Sequence, residues 1–397
     1  MRLYQITTLF PKLRHRLITQ KQFLISLLLL TLFFSSCRKD ETIYLSDSNQ
    51  VAPPRLGGKI KGFYLLNEGN MGMNRATIDY FDYATGVYTR DLYSERNPNV
   101  VKELGDVGND IKIYGSKAYA LISVSNYIEV FDVATGVHLG KINIPNCRYM
   151  TFHNGKAYVS SYAGPVEINP NAEVGFVAEI DTTSLRINRQ VSVGYQPEEM
   201  VVHNNKLYVA NSGGYRVPNY DTTVAVVDLN DFTLSKKIEV AINLHRLQLD
   251  KRGDIYVSSR GDNYDIEPNL YVIDTQTDQV KQKLDIPVTE MTLQGDSLYY
   301  FGTSFKHNSG KNTVNYGILD TKTKKVISNR IIKDGSDKNI LIPYGIAVNP
   351  ETKEIYITDA QDYLVTGFVY CYSPEGILKW KTTAGNIPAH FAFVYQK

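Results

Sequence analysis

The sequence predicts an all-β fold, a seven-bladed β-propeller built from four-stranded blades. Three observations support it. One pattern, a strand with a central tyrosine followed by a loop and a returning strand, occurs seven times. Successive tyrosines are separated by 39 residues (Tyr119 to Tyr158) to 57 residues (Tyr299 to Tyr356), the range of propeller blades. The strand missing before the first unit is found at the C-terminus.

Two anchor residues mark each unit. In the fourth unit, alternating and β-branched residues predict strands at 206–211 and 224–228. The tyrosine of the second strand is in turn Tyr64, Tyr119, Tyr158, Tyr208, Tyr256, Tyr299 and Tyr356. The aspartate that ends the third strand is Asp82, Asp132, Asp181, Asp228, Asp274 or Asp320, with Ser373 in the seventh place.

The two ends of the chain are predicted to pair and close the ring. Units two to seven each have a short apolar strand before the tyrosine strand, whereas the first unit begins directly at 62–66. Residues 390–394 supply the missing inner strand, which leaves only short and protected sheet edges. The alternative, a pair of stacked β-sandwiches, predicts neither the near-regular spacing nor this exchange of a terminal strand.

The repeated aspartates are expected to be structural. Each is followed by a turn sequence, such as Val133 to Gly136 after Asp132, in which the carboxylate can accept backbone N–H groups. Because six units share the feature, these residues are predicted to close turns and not to catalyse a reaction.

The first 36 residues are expected to be a secretory signal. Five basic and no acidic residues accompany a 12-residue apolar run at 23–34, which is too short to span a bilayer comfortably. The alternative is a signal-anchor helix. Without this leader, 38 basic and 41 acidic residues remain, so the mature chain carries a net charge of −3. This balance gives no support for nucleic-acid binding.

Residues 34–37, Phe-Ser-Ser-Cys, resemble the lipobox of bacterial lipoproteins, with Phe where Leu is usual. The resemblance implies that Cys37 becomes the lipidated N-terminus, that residues 37–60 form a flexible tether and that residues 61–397 form the propeller. Lys39-Asp40-Glu41 resembles the signal that sends Bacteroidetes lipoproteins to the outer face of the outer membrane. We therefore expect an outer-membrane lipoprotein exposed on the cell surface.

The two remaining cysteines, Cys147 and Cys371, fall in different repeats and are expected to be buried thiols and not a disulfide. No CxxC, CxxCH or HExxH motif occurs in the sequence, so zinc-finger and haem-attachment sites are not expected.

The repeat itself resembles a known family. Residues 208–211, Tyr-Val-Ala-Asn, followed by Val226-Val227-Asp228, are similar to the YVTN/YncE-like repeat of seven-bladed propellers. The resemblance covers residues 62–395. The resemblance is specific for the fold, but propellers of this kind have many different functions, so it does not identify the function.

Loop length indicates which face of the propeller binds a ligand. The interval from each tyrosine to its aspartate varies from 13 residues (Tyr119 to Asp132) to 23 residues (Tyr158 to Asp181). This interval holds the loop between the second and third strands, which opens on the same face as the crossovers between blades. Longer crossovers near 95–105 and 333–342 are expected to add to that face. Variable loops on a rigid scaffold are where binding sites usually lie, although drift of solvent-exposed loops is the alternative.

Arginine, tyrosine and histidine are frequent in these loops and crossovers. Arg donates to anionic oxygens and stacks on rings, and Tyr supplies amphipathic contact area, so together they suit an anionic aromatic small molecule. The alternative is that the arginines pair with Glu198, Glu199, Asp262 or Asp265. The predicted ligand-binding residues are Arg75, Arg148, Tyr162, Tyr215, Arg216, His245, Arg246, Arg260, Tyr264, Lys306, His307 and His390.

A surface lipoprotein with this propeller resembles the accessory lipoproteins that act beside TonB-dependent transporters, in particular the xenosiderophore-binding propeller lipoproteins. The resemblance implies capture of a ferric catecholate siderophore and its transfer to a TonB-dependent outer-membrane receptor. Iron would arrive within the ligand, so neither a protein metal site nor a cofactor is expected. Enzymatic activity is not expected either. Two alternatives remain: a lactonase-like hydrolase or lyase using Glu68, Asn211 and Asp359, and a module for glycan or protein adhesion.

Overall fold

The computed structural model describes residues 47–100, 104–262, 264–306 and 311–396, without the side chains of 304–306 and 311–312. The predicted signal peptide, Cys37, the first part of the tether and His307 lie outside these residues. Within the described parts of the chain, no helix is long and apolar enough to cross a membrane.

The described residues form 29 strands, arranged in seven antiparallel sheets. The strands of blade one are β1 Ser48–Gln50, β2 Ile60–Asn67, β3 Thr77–Asp82 and β4 Val87–Thr89. Those of blade two are β5 Gly108–Tyr114, β6 Lys117–Ile122, β7 Tyr127–Asp132 and β8 His138–Asn143. Those of blade three are β9 Cys147–His153, β10 Lys156–Ser161, β11 Gly175–Asp181 and β12 Ile187–Gly194. Those of blade four are β13 Pro197–His203, β14 Lys206–Asn211, β15 Thr223–Asp228 and β16 Thr233–Glu239.

The remaining blades continue in the same order. The strands of blade five are β17 Leu244–Leu249, β18 Asp254–Ser259, β19 Asn269–Asp274 and β20 Gln279–Lys283. Those of blade six are β21 Glu290–Gln294, β22 Ser297–Lys306, β23 Lys311–Asp320 and β24 Lys325–Ser328. Those of blade seven are β25 Pro343–Val348, β26 Ile355–Asp359, β27 Thr366–Tyr372 and β28 Leu378–Asn386, after which the closing strand β29 covers Pro388–Tyr395.

The predicted propeller and its closure are confirmed. Each innermost strand contacts the innermost strands of both neighbouring blades, which completes a ring around a central axis. The last strand, β29, pairs with β2 of blade one, and Phe393 lies opposite Phe63 in the register. Because the first and last segments share one sheet, the ring is closed by backbone hydrogen bonds.

Blade one differs from the prediction because it has a fifth strand. Strand β1, within the segment assigned to the tether, pairs with β4, with Ser48 opposite Thr89. Farther along this segment, Arg55 forms an ion pair with Glu354 of blade seven at 3.1 Å. Strand β4 has only three residues and would otherwise expose an unpaired edge, whose polar backbone groups β1 satisfies.

Four of the repeated tyrosines connect one blade to the next. The hydroxyl of Tyr64 donates to Val133 O at 3.0 Å, and that of Tyr256 donates to Thr321 O at 2.9 Å. Each acceptor lies in the turn between the third and fourth strands of the following blade, which we call the outer turn. Tyr208 makes the equivalent bond to Asp278 Oδ1 at 2.6 Å. Tyr356 of blade seven meets the hydroxyl of Tyr83 in blade one at 2.7 Å. We call Tyr64, Tyr208, Tyr256 and Tyr356 the bridging tyrosines.

The repeated aspartates close turns, as predicted. Asp132 Oδ1 accepts the backbone N–H groups of Ala134 at 3.0 Å and Thr135 at 2.9 Å. At the other five positions the aspartate Oδ1 likewise accepts the N–H of the residue two places on, and these are Asp82, Asp181, Asp228, Asp274 and Asp320. These carboxylates lie on the face formed by the short turns, which we call the turn face. The opposite face, formed by the loops between second and third strands and by the crossovers, is the loop face.

The two long crossovers lie mainly along the outer edges of blades, and the end of the second, at Leu341 and Ile342, reaches the cavity on the loop face as expected. One contains helix α1 Leu92–Arg96, and the next residue, Asn97, donates through Nδ2 to Gly136 O in a turn of blade two at 2.8 Å. The other contains the 3₁₀ helix Ser336–Asn339, and Lys333 N donates to Gly376 O in a turn of blade seven. Both insertions therefore cover the outer edges of blades.

The expectation of two buried thiols is confirmed. Cys147 and Cys371 are free, and each is buried in a different apolar cluster between blades.

The bridging tyrosines give a direct stability test. We expect Tyr208→Phe to lower the free energy of unfolding by about 1–2 kcal/mol, because it removes a bond to a charged acceptor and leaves one oxygen of Asp278 short of a partner. Urea unfolding followed by circular dichroism measures the change. Tyr119→Phe is the matched control, since the buried hydroxyl of Tyr119 has no hydrogen-bond partner among the described residues. An equal loss of stability in both variants would contradict the role of the bridge.

Candidate functional site

A cavity of about 660 Å³ lies on the propeller axis and opens on the loop face. The innermost strands run from the loop face toward the turn face, so their first residues surround its mouth. These include Arg148 and Tyr149 on β9, His245 and Arg246 on β17, and His390 on β29.

The structure brings together most of the residues predicted from sequence. Those that line the cavity are Arg148, Tyr215, His245, Arg246, Arg260 and His390. Tyr162 is buried directly behind Arg148. Three lie elsewhere, namely Arg75, Arg216 and Tyr264. The side chain of Lys306 and the whole of His307 lie outside the described residues.

One wall of the cavity is organised by a fully buried carboxylate, Glu198 of blade four. Arg260 Nη2 of blade five donates to its Oε1 at 2.9 Å, and the Tyr162 hydroxyl of blade three donates to the same oxygen. Arg148 Nε lies 3.7 Å from Oε2. Burial alone would raise the pKa of Glu198, but the charges of Arg260 and Arg148 outweigh burial and hold that pKa below its ordinary value.

Two polar atoms in this cluster have no hydrogen-bond partner among the described residues, Arg148 Nε and Glu198 Oε2. The guanidinium of Arg148 instead lies over the ring of Tyr162, 4.5 Å from its centroid. Buried polar atoms without partners are costly, and they are usually paired in native structures. The guanidinium of Arg148, which faces the cavity, is therefore placed to donate to a bound molecule.

His245 adds a second unpaired group to the wall. Its Nε2 lies 2.9 Å from the hydroxyl of Tyr149, across the axis from blade five to blade three. Its Nδ1 is buried and has no partner among the described residues. Burial, together with the charges of Arg260, Arg246 and Arg148, holds the pKa of His245 well below its usual value. The imidazole is therefore neutral at physiological pH.

The floor of the cavity is an ion pair between Arg246 and Glu290. Arg246 donates through Nε and Nη2 to the two carboxylate oxygens, at 2.6 and 2.7 Å. Its Nη1 also lies 3.9 Å from Glu199 Oε2. The same pair lines a second cavity of about 300 Å³ on the turn-face side of the axis. A bidentate buried pair at this height separates the two cavities and engages Nε and Nη2 of Arg246.

A further carboxylate, Glu68, lies on the opposite wall. Its Oε1 is 3.1 Å from His390 Nε2, and its Oε2 accepts the hydroxyl of Tyr344 at 2.8 Å. The ring of Tyr363 packs edge-on against Tyr344, with centroids 5.9 Å apart. This wall is aromatic and carries a negative charge.

The charge balance of the cavity differs from the cationic funnel expected from sequence. The pairing considered as the alternative holds for Glu198, which pairs with Arg260 and lies 3.7 Å from Arg148, whereas Arg246 pairs mainly with Glu290, which was not among the expected partners. Three arginines in and around the cavity thus face three carboxylates, those of Glu68, Glu198 and Glu290. Of these three arginines, Arg148 is the one whose Nε is buried and has no hydrogen-bond partner among the described residues.

Sequence reasoning missed Tyr149, Glu290, Tyr344 and Tyr363, all of which line the cavity. A usable signal was present for three of them. Tyr149, Glu290 and Tyr344 fall within the first three residues of an innermost strand, as do Arg148, His245 and His390. The rule is geometric, because the start of every innermost strand points to the mouth of the axis.

The predicted residues outside the cavity have other contacts. Arg216 donates to Asn219 O at 2.8 Å and to Pro170 O at 3.2 Å, so it braces the loops of blades three and four. Tyr264 is 73% exposed on the loop of blade five. Arg75 lines a separate pocket of about 540 Å³ at blade one, together with Asp79 and Arg90.

The residues considered for a lactonase-like site do not form one cluster of unengaged ligands. Asn211 is fully buried and donates to Thr223 Oγ1 at 3.1 Å. Asp359 accepts the backbone N–H groups of Leu341 and Ile342. Over the described residues, no group of three or more His, Cys, Asp or Glu is arranged to hold a metal ion.

The family profile described as "Domain of unknown function (DUF5074)" matches residues 61–389. The chain belongs to the DUF5074 family. The match covers the propeller from β2 to the start of β29, so the cavity described above is a feature of this DUF5074 domain. No curated protein matches the chain significantly.

Solved structures similar to this DUF5074 chain are also propellers of low sequence identity. A hypothetical selenium-binding protein from Sulfolobus tokodaii has a TM-score of 0.57 at 10% identity, over 85% of this chain and 94% of that one. A quinonprotein alcohol dehydrogenase-like protein from Bacteroides thetaiotaomicron has a TM-score of 0.55 at 17% identity, over 84% and 78%. AztD from Citrobacter koseri, in its apo form, has a TM-score of 0.52 at 11% identity, over 86% and 99%. At these identities the likeness shows the fold alone.

The low pKa of His245 predicts a pH effect on stability. The unfolded chain takes up a proton near pH 6.5 and the folded chain does so only at lower pH, so stability is lost as pH falls below about 6.5. Relative to His245→Gln, we expect the native chain to lose about 1.4 kcal/mol of unfolding free energy per pH unit between pH 6 and pH 5. Urea unfolding of both proteins at several pH values measures the difference. If the unfolding free energies of the two proteins depended on pH in parallel, His245 would titrate alike in the folded and unfolded states, and the prediction would be wrong.

Proposed function

We propose that this chain is a binding protein that takes up a small molecule with anionic oxygens and flat rings in its central cavity. The observation that carries the proposal is the pair of partnerless buried nitrogens in the wall, Arg148 Nε and His245 Nδ1. Both residues line the cavity, so their side chains have hydrogen-bonding capacity left for the oxygens of a ligand. The volume of about 660 Å³ is within the usual range of small-molecule sites.

The aromatic part of the ligand is inferred from the walls. Tyr149, Tyr215, Tyr344 and Tyr363 line the cavity on several sides. Tyrosines bury ring surface at low entropic cost and present a hydroxyl to polar groups, so they suit a ligand that combines rings and oxygens. Most arginines and glutamates around the cavity are paired with one another. Few hydrogen-bond donors therefore remain for such a ligand, and Arg148 is the first of them.

Within this class, a ferric catecholate siderophore is the specific candidate. Its catecholate oxygens are anionic and its rings are flat, which matches the donors and the tyrosines of the cavity. In this proposal iron is part of the ligand, and the protein provides no cofactor. The chain acts as a carrier and not as an enzyme.

The proposed location and partner rest on the sequence. The lipobox-like residues 34–37 and the following Lys39-Asp40-Glu41 support a lipoprotein on the outer face of the outer membrane. A carrier of this kind would pass its ligand to a TonB-dependent receptor in that membrane. Both statements are part of the proposal.

Adhesion to glycans and hydrolysis remain distinguishable from this function. Glycan binding would depend on the tyrosines and be nearly insensitive to loss of arginine charge. A hydrolase would turn over a bound lactone. Glu68, Glu198 and Glu290 are each engaged by arginine, histidine or tyrosine side chains.

Calorimetric titration with ferric catecholate and ferric hydroxamate siderophores tests the proposal. We expect the catecholate to bind and Arg148→Ala to weaken it about 10- to 100-fold, because hydrogen bonds to charged groups contribute about 1.5–3 kcal/mol. Arg260→Ala should weaken binding as well. Calorimetry is preferable to tryptophan fluorescence, because the single tryptophan, Trp380, packs against Phe81 between blades, away from the cavity.

The matched control is Arg186→Ala, an exposed arginine in a turn of the turn face. It should bind as the native chain does. Full affinity in both Arg148→Ala and Arg260→Ala would refute the role of the arginine cluster. Arg260→Lys keeps the charge beside Glu198 and separates loss of binding from loss of folding.

A further inference from the structure

The loop face carries an apolar rim around the cavity mouth. Among the described residues, eleven exposed large apolar side chains lie in its loops, in blades one, three, four, five and seven. The most exposed, which we call the rim residues, are Ile168 (76%), Tyr264 (73%), Leu364 (70%), Leu341 (61%), Met71 (60%) and Met73 (53%). Outside the strands, the turn face has three in the described chain, Leu56, Val137 and Ile377. Single exposed apolar residues are ordinary, but their concentration on one face marks an interaction surface.

We infer that the loop face rests on a lipid surface, with the rim residues in the interfacial layer. The rim residues stand on five segments around the mouth of the axis, because Met71 and Met73 share one loop, and all of them lie on one face. A protein partner would need a complementary surface for each loop, whereas a lipid layer is planar and deformable and accepts separate tips. Tyrosine is favoured at such interfaces, and apolar side chains enter the boundary between headgroups and acyl chains.

The path of the chain agrees with this orientation. Strand β1 is antiparallel to β4, and β4 runs away from the turn after Asp82. The chain therefore enters blade one at Asp47 travelling from the loop face toward the turn face. Arg90 holds this entry through a backbone bond to Asp47 O at 2.9 Å.

The length of the preceding segment fits as well. Nine residues lie between Cys37 and Asp47, and the ten steps that join the two span at most about 35 Å when the chain is extended. The inference rests here on the lipid anchor that forms part of the proposed function. A lipid anchor on so short a segment keeps the propeller close to the membrane. The rim residues then determine which face of the propeller turns toward the membrane.

Depth-dependent fluorescence quenching tests the inference. The lipidated full-length product is placed in vesicles of phosphatidylethanolamine and phosphatidylglycerol, with and without brominated lipid. Single cysteines introduced by Leu364→Cys and Ile168→Cys carry a bimane label, while the native Cys147 and Cys371 are buried. We expect brominated lipid to reduce the emission of both labels about two-fold, because interfacial side chains lie about 5–10 Å into the layer.

Val137→Cys on the turn face is the matched control and should keep its emission. Equal or stronger quenching at Val137, or none at Leu364 and Ile168, would overturn the inference, and the second result is also what a protein partner for the rim predicts. Adding Tyr264→Asp and Leu341→Asp to Leu364→Cys should restore the emission, and unchanged quenching in that variant would also overturn it. Mass spectrometry of the mature N-terminus reports the anchor separately, and calorimetry reports the ligand, so failure of the proposed function is recognised independently.

Discussion

The structure depends on contacts that cross from one blade to the next. A four-stranded sheet has two faces to bury. Each blade here buries its faces against the neighbouring blades, so no blade is stable alone. The bridging tyrosines fill these interfaces with fully or almost fully buried rings and place a hydroxyl on the outer turn of the following blade. The last interface is completed by β29, which ties the end of the chain to β2. Removal of any one interface would open the ring.

This construction also determines where a binding site can form. Seven innermost strands begin at one end of the axis, and their first residues line the mouth of the cavity together with residues of the adjoining loops, such as Arg260 and Tyr215. Charged residues at those positions are brought together from blades that are distant in sequence, and they are buried there. Most of them are therefore paired, as Arg246 is with Glu290 and Arg260 with Glu198. The unpaired atoms of Arg148 and His245 are exceptions to that balance, and they mark the part of the wall available to a ligand.

The cavity and the rim residues share the loop face because loops on that face can vary in length, whereas the turns on the turn face cannot. Turns closed by an aspartate carboxylate are short and polar, and they leave little room for variation. Loops between second and third strands are not constrained in this way, so they hold both the apolar rim residues and the brace formed by Arg216. A ligand entering the cavity has to pass the surface that would contact a membrane, which couples the two features physically.

The sequence by itself determined the fold, because the tyrosine and aspartate of each repeat are local signals tied to strands and turns. It also determined the ring closure, since a missing strand at one terminus and an extra strand at the other have one solution. Only the tertiary structure decided which arginine meets which glutamate. Glu198 of blade four is reached by Arg148 from blade three and Arg260 from blade five, and no spacing along the chain encodes that meeting. The same holds for Arg216, which sequence placed in the site and whose guanidinium instead binds backbone carbonyls of the neighbouring loops. Side-chain direction within an irregular loop depends on packing across blades, and that is settled only when the ring is closed.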